Sequence, residues 1–364
     1  MAHGRKALTD LHFHLGQAVE PHILWSIAHE QGIKLPSKDY WEFHDLISLR
    51  KEGEVTWEDY HKLFQWTELI QSSPIAMERT LYEVISGAYR ESNITLMEPG
   101  FNPMFRNRGG ERDLDQIILA ALRGMEKGLA EFPDVRAGLI LMLDRRLSYE
   151  HNEIIVKKAI KYRTRGVVGI DIAGPSGKDF RYDDYADIYA RARDKGLKTT
   201  VHTGEDGTAE EMAHVLKVLP LDRINHGFRA YTSPDLMEQI RNRNLTLCMC
   251  PTSNMKVGFI KDERHLKEVF RTLYDSGVKF CINTDNPSML STSVSNEIDI
   301  LRRNNILSEA EIDQTVEWAR EAAFVPTEPW KNLYLYARYG VPIISVIFFS
   351  IFSTQLWNFG YLRV

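Results

Sequence analysis

The sequence predicts an α/β fold, a (β/α)8 barrel, and three observations carry that prediction. Short apolar runs alternate with longer amphipathic ones along most of the 364 residues, which is the pattern of βα units and a parallel sheet. Eight such short runs can be read, and eight strands with helical crossovers close most naturally on themselves. Several runs end in polar clusters, as at Val201-His-Thr-Gly-Glu205, Asn225-His226-Gly227 and Asn283-Thr-Asp-Asn286. A barrel delivers functional groups to one mouth in this way.

In chain order the predicted strands are residues 7–14, 93–98, 136–143, 167–173, 198–202, 223–226, 245–250 and 279–284. Amphipathic stretches predict helices over 114–129, 153–163, 185–195, 209–218, 234–242, 266–276 and 296–304. A long helical insertion, residues 21–90, separates the first two strands and is placed to roof the site. No repeat, low-complexity segment or flexible linker divides the chain. We read one TIM-type barrel domain over residues 1–340, followed by an apolar tail over 341–364.

The bulk numbers narrow the function. A hydrophobic content of 43% is ample for a large core, and a formal charge of −5 argues against a nucleic-acid partner bound by phosphate neutralisation. Cys248, Cys250 and Cys281 lie in apolar runs and do not resemble a disulfide framework, which points to a reducing cytoplasm. The N-terminus leads into no apolar h-region, so no secretory signal is read. Residues 341–352 are strongly apolar but short for a span of roughly 20 residues, and they begin with Pro342 within a β-branched and aromatic run. A buried or disordered tail, or an altered reading frame, is expected there rather than a membrane anchor. Oligomeric state is not legible.

The chemistry concentrates at the strand ends. His12 and His14 stand at i and i+2 on one strand, so both imidazoles face the same way about 6–7 Å apart along the backbone. With His202 and Asp285 they offer three nitrogens and a carboxylate, a set that suits one zinc ion. No second ligand set and no strand-end lysine is present to hold two. Such an ion lowers the pKa of a bound water from about 15.7 towards roughly 7. His226 is placed to orient or deprotonate that water, and Glu205, just past a strand end, to act as general acid. Taken singly, each residue has an ordinary reading as a cap or a buried polar group; placement of all of them at strand ends favours a cluster. Cys248-Met-Cys250-Pro251 has the wrong spacing and order for a cytidine-deaminase zinc site, so these cysteines are read as packing. No phosphate-binding Gly-rich loop is present.

These residues resemble the adenosine deaminase family of the metal-dependent amidohydrolases. Leu11-His-Phe-His-Leu15, Asp171-Ile-Ala-Gly174, His202-Thr-Gly-Glu-Asp-Gly207, Asn225-His-Gly227, Cys250-Pro-Thr-Ser-Asn254 and Asn283-Thr-Asp-Asn-Pro287 stand in the family's order, and the likeness runs from about residue 8 to 336. The resemblance implies zinc-dependent hydrolytic deamination at the 6-position of an adenine-type purine. It assigns zinc to His12, His14, His202 and Asp285, protonation of ring N1 to Glu205, activation of the water to His226 and Asp285, and a backbone contact to purine N3 to Gly174. Two departures stand out. Gly16-Gln17 replaces an Asp-Gly pair whose aspartate meets the ribose hydroxyl, which leaves Gln17 as the side chain at that point. Asn286 replaces an aspartate that contacts purine N7, and an amide donates there without needing a proton. Either departure also fits simple drift at a site that still deaminates adenosine. The expected substrate is therefore adenosine or a related 6-aminopurine nucleoside. Adenine, a 5′-modified adenosine or an adenine nucleotide remains as the alternative, and a non-catalytic purine-binding barrel as the rival of another class.

Overall fold

The computed structural model describes residues 6–49, 57–107, 113–175, 177 and 179–326. By contacts the chain separates into two units, residues 1–325 and 326–364. The apolar tail expected over 341–364 lies outside the described residues.

Within the first unit ten strand segments run in one direction. They are β1 (Leu8–His14), β2 (Ile94–Phe101), β3 (Arg136–Ala137), β4 (Leu139–Asp144), β5 (Val167–Ala173), β6 (Lys198–Thr199), β7 (His202–Thr203), β8 (Ile224–His226), β9 (Thr246–Met249) and β10 (Lys279–Ile282). The order β1-β2-β4-β5-β6, with β3 beside β2, forms one sheet, and β10-β9-β8-β7 forms another; every pairing is parallel.

The two sheets are one barrel. Between β6 and β7 the chain keeps its ladder, since Thr200 N donates to Ile170 O (3.0 Å) and Asn225 N donates to Val201 O (2.9 Å). Gly138 interrupts β3 and β4 in the same way while donating to Met97 O (3.2 Å). The seam between β1 and β10 closes just past the end of β10. There Phe13 bridges Asp285, His14 N donates to Asp285 O (2.7 Å), Asp285 N donates to His12 O (3.1 Å), and the Asn283 side chain accepts from Leu11 N (2.8 Å). Ten segments thus make the eight predicted strands.

Helices cover the strands because each presents one apolar stripe. Leu114–Glu131 buries Leu114, Ile117, Ile118, Ala121, Leu122 and Met125 on one side and starts on Asp113, whose carboxylate accepts from Asp115 N (2.9 Å). Removing such a cap costs about 1 kcal/mol, and burying each large aliphatic contributes about 1.5–3 kcal/mol. The predicted insertion divides in two. Residues Pro21–Glu30, Tyr40–Ile47, Trp57–Lys62 and Phe64–Ile70 form short helices, the last two of which line the mouth. Pro74–Ser92 instead packs on Leu114–Glu131 as the crossover from β1 to β2. A last helix, Glu309–Ala322, lay outside the predicted set and rests on β10 and β1.

The inside of the barrel is charged at one level. Arg223 and Glu98, both wholly buried, meet at 2.7 Å. Arg223 also donates to Leu11 O (3.0 Å) and Ala322 O (3.1 Å) and lies over the Phe324 ring, while Glu98 accepts from the backbone N–H groups of Phe324 and Val325. Residues 322–325 are thereby fastened to β1, β2 and β8. Cys248 and Cys281 are register partners on β9 and β10 with sulfurs 3.7 Å apart; they and Cys250 are buried, in agreement with a packing role.

Candidate active site and metal centre

The five histidine and aspartate side chains singled out in the sequence converge at the C-terminal ends of the strands. His12 and His14 end β1, with ring centroids 5.7 Å apart. His202 opens β7, His226 ends β8, and Asp285 follows β10. Ring nitrogens of His12, His202 and His226 and one oxygen of Asp285 all lie within 4.8 Å of one another. His14 joins them: its Nε2 is 3.3 Å from His202 Nε2 and 3.2 Å from Asp285 Oδ1. His12 Nε2 stands 3.3 Å from His226 Nε2 and 3.7 Å from Asp285 Oδ1.

Local backbone geometry aims these groups. His226 (φ 58°) and Asp285 (φ 63°) both adopt the left-handed conformation, which ordinary side chains avoid and which costs on the order of 1–3 kcal/mol unless the surroundings hold it. Gly204 (φ 67°) makes the turn from His202 to Glu205. A Cβ there would lie 2.7 Å from Met212 Sδ and 3.0 Å from Gly227 Cα, so only glycine lets the two loops approach.

Behind the cluster stands a ring of buried partners. Asp171 Oδ2 lies 2.8 Å from His202 Nδ1. Asn254 Nδ2 lies 3.4 Å from His226 Nδ1. Asp285 is divided: its Oδ2 accepts from Ser253 Oγ (2.5 Å) and from Tyr60 OH (3.4 Å), while its Oδ1 faces His12 and His14. Tyr60 in turn accepts from Asn286 Nδ2 (2.6 Å).

The electrostatics follow from burial. Desolvation lowers His226 to about 3, with His202 and His14 adding to it, and holds His12 well below the usual histidine range. Both rings are neutral and can offer lone pairs. Burial would raise Asp285, but the hydrogen bond and charge of His14 outweigh it and keep the carboxylate ionised. Glu205 goes the other way. Burial pushes its carboxyl well above the usual range, Asp285 and Asp206 repel its charge, and Arg145 opposes them only in part. Two carboxyl groups of one pocket are therefore pushed in opposite directions, Asp285 towards the ionised form and Glu205 towards the protonated one. Glu205 Oε2 lies 3.5 Å from His226 Nε2.

The donor set fits a zinc ion. His14 and His202 present Nε2 atoms to each other at 3.3 Å, and buried Asp285 Oδ1 stands 3.2 Å from the first and 3.7 Å from His12 Nε2, a grouping of nitrogen and oxygen donors that a cation would draw together. A carboxylate behind a ligating histidine, as Asp171 stands behind His202, is the usual support of such a site.

A cavity of about 460 Å³ opens on this cluster, within the range of small-molecule sites. It brings together every predicted site residue except His12, which lies behind the wall: His14, Gln17, Gly174, His202, Glu205, His226, Asp285 and Asn286 line it. Gln17 is buried and donates to Thr67 Oγ1 (2.8 Å). Sequence reasoning missed Tyr60, His61 and Arg106, which also line it, and gave no role to Ser253 or Asn254. No signal marked the first three, since they come from the roof and from the turn after β2; the last two lay inside the quoted Cys250–Asn254 box.

Comparison with known proteins then places the chain. The family model described as adenosine deaminase matches residues 7–335. The chain belongs to the adenosine deaminase family. An adenosine deaminase from Enterococcus faecalis is 30% identical over 324 residues, covering 89% of this chain and 94% of that protein. Two solved structures share the fold. A zinc-bound amidohydrolase from Burkholderia ambifaria has a TM-score of 0.79 at 21% identity, covering 97% of this chain and 93% of that one. The N6-mAMP deaminase of Arabidopsis has a TM-score of 0.74 at 23% identity, covering 92% and 97%. As a member of the adenosine deaminase family, the chain is a hydrolase of C–N bonds acting on adenosine-like substrates. Among the described residues, no helix is long and apolar enough to cross a membrane.

Proposed function

We propose that the chain is a zinc-dependent aminohydrolase that converts adenosine or a related 6-aminopurine nucleoside to the 6-oxo product and ammonia. The observation that carries this reading is the meeting in one cavity of Glu205, whose carboxyl burial pushes up, with His14, His202, His226 and Asp285, and with His12 packed against His226 and Asp285. His12, His14, His202 and Asp285 would hold one ion per chain. When bound, it supplies Lewis acidity and a water acidic enough to ionise near neutral pH.

The protein's own groups perform the rest. Glu205 delivers its proton to purine N1, which draws electrons from C6 and opens it to attack. Asn254 donating to His226 Nδ1 leaves the neutral ring with its proton on Nε2, where it orients the attacking water. Asp285, its Oδ2 held by Ser253, keeps Oδ1 free to receive the water's proton. Ammonia leaves with the proton returned to it. Gly174 at the cavity wall offers its N–H to purine N3. Asn286 gives one amide hydrogen to Tyr60 and keeps the other for N7. Gln17 borders the sugar. The three buried thiols fit a reducing cytoplasm. We assign no nucleic-acid, membrane or protein partner.

The test joins metal analysis to ammonia release from adenosine, adenine and adenine nucleotides. One zinc per chain with turnover of a 6-aminopurine nucleoside or nucleotide is expected. A metal-to-chain ratio near two, no metal after supplementation, or tight purine binding without ammonia would each overturn the reading.

A further inference from the structure

Tyr60, on the roof helix Trp57–Lys62, is buried and meets two consecutive residues past the end of β10. Its hydroxyl donates to Asp285 Oδ2 (3.4 Å) and accepts from Asn286 Nδ2 (2.6 Å). A phenol has one proton, so the donation to Asp285 leaves its oxygen to accept, and the Asn286 amide is turned with its nitrogen towards Tyr60. Turned the other way, the amide would set its oxygen against the Tyr60 oxygen, acceptor against acceptor. Asn286 is 1% exposed and lines the cavity, and no donor among the described residues meets its Oδ1. A buried acceptor without a donor is costly, so on the wall of a substrate cavity it calls for a donor on the ligand.

A 6-aminopurine carries that donor. Its amino nitrogen has two hydrogens in the ring plane, one on the N1 side and one on the N7 side. With Glu205 at N1, the second hydrogen and the N7 lone pair stand side by side on the opposite edge. The carbonyl and one N–H of an asparagine amide match that donor and acceptor together. The other amide hydrogen is the one that Tyr60 receives.

Resting on the deaminase reading, we propose that Asn286 clasps the purine at two points and thereby selects C6 substituents that carry an N–H. One amide hydrogen meets N7, Oδ1 accepts from the N–H, and Tyr60 is the positioning residue that fixes this orientation. The Oδ1 contact falls on the leaving group. As C6 becomes tetrahedral and the amine takes up its proton, its N–H groups become stronger donors, so the contact strengthens towards the transition state. An alkoxy group or a tertiary amine at C6 leaves Oδ1 buried and unpaired, a penalty of about 5- to 100-fold.

The experiment measures kcat/KM of the zinc-loaded enzyme for pairs that differ only at C6: adenosine with 6-methoxypurine riboside, AMP with its 6-methoxy counterpart, and adenine with 6-methoxypurine. Both members of a pair give the same 6-oxo product, with ammonia or methanol leaving. Where a methoxy compound binds without turnover, its Ki set against the KM of its partner gives the ratio. Because the leaving groups differ, each variant is read against the native amino-to-methoxy ratio, and N7, common to both members, cancels. Zinc content and thermal unfolding check that each variant is folded. Asn286→Leu should lower the ratio by about fivefold or more, and Tyr60→Phe by about threefold or more, whereas a merely structural loss slows both members alike. Asn286→Asp, which keeps an acceptor at this point, should hold the ratio within fivefold. A smaller fall in Asn286→Leu or Tyr60→Phe overturns the proposal, as does a larger one in Asn286→Asp. The deaminase reading survives any of these results and fails only if no amino compound is turned over.

Discussion

Asp171 Oδ2 stands 2.8 Å from His202 Nδ1, and both side chains are buried. A carboxylate at this distance favours the ring proton on Nδ1, which leaves the Nε2 lone pair to the cluster. Asp171→Ala should weaken zinc binding by about 10–100-fold, the usual cost of losing such a support. Competition with a calibrated chelator reads this directly, and unchanged affinity would remove Asp171 from the metal site.

Glu205→Gln should keep the metal and lose turnover by roughly 10²–10⁴-fold. The amide fills the same volume but has no acidic proton to give to the ring. Retention of more than about a tenth of the rate, by stopped-time ammonia assay, would assign the proton to another group.

His14→Ala and His226→Ala separate ligand from orienting residue. The first should release zinc and activity together, because three remaining donors bind far less tightly. The second should release activity alone. Zinc loss in both at equal chelator concentration would make His226 a ligand.

Arg223→Met should destabilise the fold by about 3–5 kcal/mol, because it leaves the Glu98 charge buried without its partner. Urea denaturation measures it. Arg223→Met combined with Glu98→Gln should recover part of that loss, and a double variant no better than the single would show that the charges are not coupled.

Glu297 gives a pH signature remote from the metal. Burial pushes it up to about 7, although Thr292 and Thr252 both hydrogen-bond its carboxylate. Its folded-state value is raised, so its contribution to stability is complete below about pH 4.5 and is lost as pH rises through about 7, at roughly 1.4 kcal/mol per pH unit between them. Glu297→Gln mimics the protonated form and should flatten that slope in denaturation experiments at pH 5 and 8. A variant with the native slope would sink the assignment.

Much of this was legible in the sequence because strand ends leave a mark. His12, His14, His202, His226 and Asp285 each follow a short apolar run, and a closed parallel sheet has one rim on which such ends can meet. The roof left no such mark. Tyr60 reaches Asp285 from a helix whose register to the barrel no local pattern specifies, and Arg106 reaches Gly16 across 90 positions of chain. The break at Thr200–Val201 was equally silent: side chains there are those of a continuous strand, and only the change of neighbour from β5 to β8 divides it. Contacts made by tertiary packing alone carry no period to read.

The three thiols make the barrel its own reporter. Cys248 and Cys281 lie on adjacent strands, and Cys250 directly follows the first of them, all three shielded from solvent. A thiol reagent can reach them only when β9 and β10 part, so the labelling rate, set against that of a free cysteine, gives the free energy of that opening without any denaturant. Run with and without zinc, the same measurement tells how far an ion held at Asp285, just beyond β10, reaches down into the sheet.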